Sequence, residues 1–261
     1  MLKPASVKPF MTERVYSLWD AMAAVDISDA DDALRVLLEN ACQLLSAKTA
    51  LCVVAVRMPQ AEPGDGSSWR PRHVTPLTKP TNSRVTTAAA ERRYAAGGRD
   101  ICVANHAACA GTWRAKRLSD LAPPEWFQSE YYENFYTRRG LVDAIWVGCP
   151  INADVEIYVG IVRGTGQPRF TADESDTALF AMRGLGWFLH RCLLGLGLSL
   201  ATAPLTEAER KVLRLVLHGH SPKAIAKELA QSVYTTQEHI QAIYRKFNVS
   251  RRSALAALWT S

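Results

Sequence analysis

A chain of 261 residues that is 48% apolar and 21% charged holds enough material for two buried cores and has the composition of a globular protein. Its most apolar stretch, Trp187–Leu205, is broken by His190 and Arg191, and MLKPASVKPFMTER at the start lacks an apolar core, so neither a membrane span nor a secretory signal is expected, and the cytoplasm is the expected compartment. The net charge of +6 is unevenly placed: residues 205–261 hold nine Lys/Arg against four Glu, a net +5, whereas residues 1–204 hold 22 bases and 21 acids.

In chain order, residues 11–24 and 29–46 read as helices. The second repeats Ala33, Leu34, Leu37, Leu38, Ala41, Leu44 and Leu45 at three- and four-residue steps behind an acidic first turn. ALCVVAVR, 50–57, is a buried strand. Residues 58–85, with five prolines and two glycines, read as an irregular segment, and 86–96 as a short helix. Trp126–Arg139 is an aromatic-rich helix candidate. AIWVGCPI and VEIYVGIVR flank Asn152-Ala153-Asp154 as an antiparallel hairpin. One long helix follows, opened by the Thr171/Glu174 capping box. The six cysteines are scattered without a C-x-x-C pair, mostly inside apolar strings, so buried free thiols are expected rather than a metal site or disulfides.

The C-terminal part divides into four short helices. Thr206 and Glu209 form a capping box, Gly219 closes the first helix, and Ser221 with Pro222 opens the second. Ser232 is the expected cap of the third, and Ser250 of a fourth running to about Trp259. About three residues join helices two and three, the dimension of a helix-turn-helix. In the third helix Thr236, Ile240, Ile243 and Phe247 form an apolar stripe, while Tyr234, Glu238, Gln241 and Arg245 recur on another face, flanked by Thr235, Gln237 and Lys246. Amides, hydroxyls and guanidinium are groups that pair with base edges, and Lys or Arg at helix ends suits phosphates.

Residues 205–256 resemble the LuxR-type (NarL/FixJ-like) DNA-binding domain. The likeness rests on Leu205-Thr206, Glu209, Val212-Leu213, Gly219, Ile225-Ala226, Leu229, Thr235, His239, Lys246, Val249 and Arg252. It implies a third helix in the major groove of double-stranded DNA and a fourth that contributes to a homodimer. The residues expected at the DNA are Lys223, Lys227, Tyr234, Thr235, Gln237, Glu238, Gln241, Arg245 and Lys246. The chain departs from the family pattern at Gln231 and Thr236, where aliphatic residues are usual, at Gln237, often basic, and at Asn248, usually glycine.

Trp126–Arg191 resembles the tail of the GAF-like sensory domains fused to many LuxR-type regulators. That implies an antiparallel sheet and a pocket for a small-molecule effector of unknown identity. Trp126, Tyr131, Tyr132, Phe135, Trp146 and Tyr158, with Phe127 and Tyr136, either line that pocket or form core. A receiver domain is excluded by the missing acidic pair after the first strand. No counterpart of the acyl-homoserine-lactone signature is seen. No nucleotide-binding, hydrolase or metalloprotease motif is present, and no cofactor is expected.

The expectation is therefore an α+β, GAF/PAS-like domain with an antiparallel sheet and flanking helices over 1–198, a linker at 199–203, and an all-α four-helix LuxR-type module over 204–261. Together they read as a transcriptional regulator and not an enzyme. The alternative is a regulator whose helix-turn-helix docks a protein.

Overall fold

The computed structural model describes residues 9–58, 69–78, 100–198 and 205–259; the helix expected at 86–96 and the linker at 199–203 lie outside them. The chain divides into two compact units, Met1–Ala24 with Arg35–Gly186, and Val25–Leu34 with Trp187–Ser261.

Among the described residues, the first unit is built on a five-stranded antiparallel sheet in the order β2-β1-β5-β4-β3. Its strands are β1 (Thr49–Arg57), β2 (Trp69–Pro76), β3 (Arg114–Arg117), β4 (Leu141–Pro150) and β5 (Val155–Gly164). The β4–β5 hairpin forms as its turn chemistry requires: Asn152 Oδ1 accepts from the Asp154 amide at 2.9 Å. Side chains alternate across the sheet. Cys52, Val54, Ile145, Val147, Cys149, Ile157, Val159 and Ile161 are fully buried on one face. The other face carries Leu51, Ala144, Trp146 and Val162, packed into an aromatic cluster.

Helices α1 (Pro9–Ala23) and α2 (Ala30–Leu45) form where helices are expected, the second as its periodicity predicts. The segment expected to be irregular holds β2. Pro71 falls at a register shift and Pro76 ends the strand, at a sheet edge where proline costs no ladder bond. Edge strand β3, RAKR, has no apolar alternation to betray it, and neither α3 (Ile101–Ala107) nor α4 (Leu118–Leu121) was expected. The aromatic helix expected over Trp126–Arg139 is three pieces: a 3₁₀ turn at Pro124–Gln128, α5 (Glu130–Phe135) and a 3₁₀ turn at Thr137–Arg139. Ser129 is extended and caps α5, which breaks the run. The long helix also divides, into α6 (Ala172–Arg183) and α7 (Gly186–Leu196). Two glycines at the break weaken a continuous helix, and the Trp19 ring lies so close to Gly184 that a Cβ there would sit 2.3 Å from it. The Trp19 indole N–H donates to the Ala181 carbonyl at 2.9 Å.

Two of the ion pairs among the described residues of this unit have a buried arginine. Arg163 bonds Glu174 at 2.6 Å. Arg114 makes a two-pronged contact with Glu156 at 2.7 and 2.8 Å, with Glu156 wholly buried. Arg114 stands opposite Gly148 in the β3–β4 register, and its guanidinium occupies the space a Cβ would need.

The second unit carries α8 (Glu207–Leu217), α9 (Pro222–Glu228), α10 (Val233–Lys246) and α11 (Arg252–Ala257). Val212, Leu213, Val216, Ile225, Ile240, Ile243, Phe247 and Leu255 meet in one core. Thr206, Ser221 and Ser232 cap as expected. Ser250 does not cap the last helix: Arg251 holds that position without a side-chain cap bond. Three of these four helices end on a left-handed residue: Gly219, Ala230 and Asn248, at φ of 93°, 50° and 52°. The following amides reach back to Leu215, Ala226 and Tyr244 carbonyls at 2.9–3.0 Å, so each end is closed by a Schellman motif.

Candidate nucleic-acid interface

The α10 helix has two unlike sides because its residues sort at helical spacing. Thr236, Ile240, Ile243 and Phe247 are buried, whereas Tyr234, Gln237, Glu238, Gln241 and Arg245 are exposed. Those five line one open surface depression. The sequence expectation therefore converges on a single surface for five of its nine residues. Lys223 and Lys227 are exposed on α9, the helix before the turn.

Thr235 is half-buried. Its amide donates to Ser232 Oγ at 2.9 Å, and its hydroxyl lies 2.8 Å from the same oxygen, so it sets the first turn of α10. Lys246 is part-buried, and its ammonium donates to Glu209 Oε2 at 2.6 Å, tying α10 to α8. Burial pushes the Glu209 carboxyl up, but Lys246 and the Thr206 amide outweigh it and hold it below the usual range.

The family-atypical residues Gln231 and Thr236 are partners. Gln231 Nε2 donates to Thr236 Oγ1 at 2.9 Å, and that hydroxyl donates to the Ser232 carbonyl at 3.0 Å. A polar pair thus fills the place of two aliphatic side chains, with each buried group satisfied.

Much of the basic charge is spent inside the unit. Arg210 and Arg214, four residues apart on α8, face Asp31 and Asp29 at 3.7 and 3.4 Å, and His218, which caps the end of that helix, lies 2.9 Å from Asp26. Lys211 pairs with Glu207 at 2.8 Å. Arg252 caps carbonyls of Val216 and His220. Among the described residues, Lys223, Lys227, Arg245 and Arg251 remain without a side-chain partner, so these carry the charge available to a polyanion. Arg251 was not among the expected contacts. The sequence shows an Arg-Arg pair and cannot say that only Arg252 turns inward.

In the first unit five of the six candidate pocket residues come together. Trp126, Tyr131, Tyr132, Phe135 and Trp146 belong to one cluster, with the Trp126 ring 6.1 and 5.3 Å from those of Tyr131 and Tyr132. The Trp126 indole N–H donates to the buried Asp100 at 2.6 Å, and the Tyr132 hydroxyl donates to the Val142 carbonyl at 2.8 Å. Tyr158 belongs to a second cluster with Ala55, Trp69 and Ala107. There its hydroxyl lies 3.3 Å from Arg114 Nη2, and its ring centre 5.3 Å from that of His106. Burial, reinforced by Arg114 and Lys116, pulls His106 down to about 3, so its ring is neutral. No described helix is long and apolar enough to cross a membrane.

Residues 203–259 match the family model described as GerE, bacterial regulatory proteins, luxR family. That segment is a luxR-family helix-turn-helix. Over longer stretches the chain is similar to SdiA in complex with octanoyl-rac-glycerol, with a TM-score of 0.46, 13% identity, and coverage of 100% of this chain and 96% of that one. Escherichia coli SdiA gives a TM-score of 0.45, 14% identity, and coverage of 96% and 97%. The LBD domain of VqsR from Pseudomonas aeruginosa gives 0.46, 10% identity, and coverage of 71% and 96%. At TM-scores this low the likeness assigns neither fold nor ligand.

Proposed function

We propose that the chain is a cytoplasmic DNA-binding transcriptional regulator that binds operator DNA as a homodimer. Its α10 helix enters the major groove, and a GAF/PAS-like sensory unit, residues 1–198, controls the module at 204–261. The observation that carries this reading is the exposed strip Tyr234, Gln237, Glu238, Gln241 and Arg245 on a helix whose opposite side is core. Among the described residues no side chain bonds to that strip, and its groups suit base edges. The aromatic cluster around Trp126 is the proposed seat of a small-molecule effector.

Salt titration of the full chain on duplex DNA tests the reading. Log affinity should fall linearly with log salt, and Lys223→Ala, Lys227→Ala or Arg245→Ala should each reduce the slope by about 1. Unchanged slopes in all three would remove their assigned role.

One observation favours a second reading, in which the same strip docks a protein. With Lys246 committed to Glu209 and Gln237 standing where the family often has a base, Arg245 is the one unpartnered cation on α10 among the described residues. Absence of salt-dependent binding to any duplex would decide for that reading.

A further inference from the structure

We infer that Glu238 is a specificity-determining residue that selects a cytosine in the operator, an inference that rests on the DNA-binding reading of α10. Tyr234, Gln237, Glu238 and Gln241 recur at three- and four-residue steps. At 1.5 Å per residue the Cα atoms from 234 to 241 span about 10 Å, which fits a major groove about 12 Å wide. Arg245 lies another ~6 Å along, at the wall where phosphates stand. Glu238 is thus placed over the floor of the groove and not at its edge.

A carboxylate is a strange choice there unless it reads something. It accepts hydrogen bonds and cannot donate them. The guanine edge presents only acceptors, thymine an acceptor and a methyl, and adenine a donor beside an acceptor; cytosine alone presents a donor, its N4 amine, without a competing acceptor. Glu238 is exposed, and among the described residues no Lys, Arg or His forms an ion pair with it. No described residue therefore neutralises its charge. On any other sequence an unpaired carboxylate in a phosphate-walled groove is repelled, so the side chain works by rejecting wrong sites as well as by bonding the right one. The neighbouring Gln237 and Gln241 are more permissive, since an amide carries both donor and acceptor.

The experiment is selection from a randomised duplex library by the full-length protein, in parallel with Glu238→Ala and Glu238→Gln, followed by affinity measurement on the enriched duplexes and on unselected library DNA. The wild type should enrich a motif with an invariant cytosine column. Glu238→Ala should lower the preference at that column by about tenfold or more, leave the other columns in place, and bind unselected DNA more tightly. Glu238→Gln should turn the column from cytosine toward adenine, which a glutamine pairs in two-pronged fashion. Circular dichroism of both variants should be unchanged, since the side chain is exposed. Motifs identical in all three proteins would overturn the role of Glu238 while leaving DNA binding intact. A wild type that enriches nothing and shows no salt-dependent affinity for unselected duplex would overturn the DNA-binding reading itself, and this inference with it.

Discussion

Replacing Lys246 by Met asks whether this cation serves the fold or the DNA. Its ammonium sits 2.6 Å from Oε2 of Glu209, a carboxylate only 7% exposed. Removing one partner of a buried pair costs about 3–5 kcal/mol, because the other charge is left in a poor solvent. The Thr206 amide still donates to the same oxygen at 2.6 Å, which reduces the expected loss to about 2–3 kcal/mol. Hydrogen exchange in peptides from 233–247, followed by mass spectrometry on the full chain, should then accelerate roughly 30- to 150-fold. The pH dependence follows from the direction of the Glu209 shift. In the wild type its depressed pKa contributes stability that is present above the unfolded value near 4.5 and is lost as pH falls through the folded value. In Lys246→Met burial dominates, the folded pKa rises above the unfolded one, and the deficit should shrink on acidification from neutral pH toward 5. On DNA the salt slope should not change, whereas Arg245→Ala should lower it by about 1. Unaltered exchange together with a slope lower by one unit would refute this account and place Lys246 on a phosphate.

Two further outcomes are expected. Gly148→Ala places a Cβ 2.5 Å from the Arg114 guanidinium carbon and should expel it from Glu156, lowering unfolding stability of the first unit by about 3 kcal/mol or more; a melting temperature within a degree of wild type would contradict the packing. For Gln231→Leu and Thr236→Val, a double-mutant cycle by denaturant unfolding should show coupling of about 1 kcal/mol, with the double variant more stable than the sum of the single losses predicts, because replacing both polar partners leaves none unsatisfied; strict additivity would mean the pair does not interact.

The helix-turn-helix was legible in the sequence because its signals are local. Caps at Thr206, Ser221 and Ser232, the terminators Gly219 and Asn248, and the split between the Thr236–Phe247 stripe and the Tyr234–Arg245 strip all act within a few residues. The exception, Ser250, shows the limit of that logic. A capping residue type stands one position early, and Arg251 takes the cap position while Arg252 bonds the carbonyls of Val216 and His220.

In the first unit the signals are not local. Strand β2 hides behind two prolines that only an edge position tolerates, and β3 is four residues of mostly charged sequence given strand geometry by pairing with β4. The division of the α6–α7 segment depends on a ring contributed by Trp19, more than a hundred residues away in the chain. Tyr158 shares a sheet face with Trp146 but pairs with Gly148, the residue opposite Arg114, so the register delivers it to Arg114 and His106.

Sequence alone therefore determined where a luxR-family module lies and which face of its third helix is offered outward, since helix periodicity and caps are properties of neighbouring residues. Only the tertiary structure decided which of its charges remain to be used. Asp26, Asp29, Asp31 and Glu209 reach their basic partners across long separations in the chain, and an ion pair, unlike a helical face, depends on distance in space.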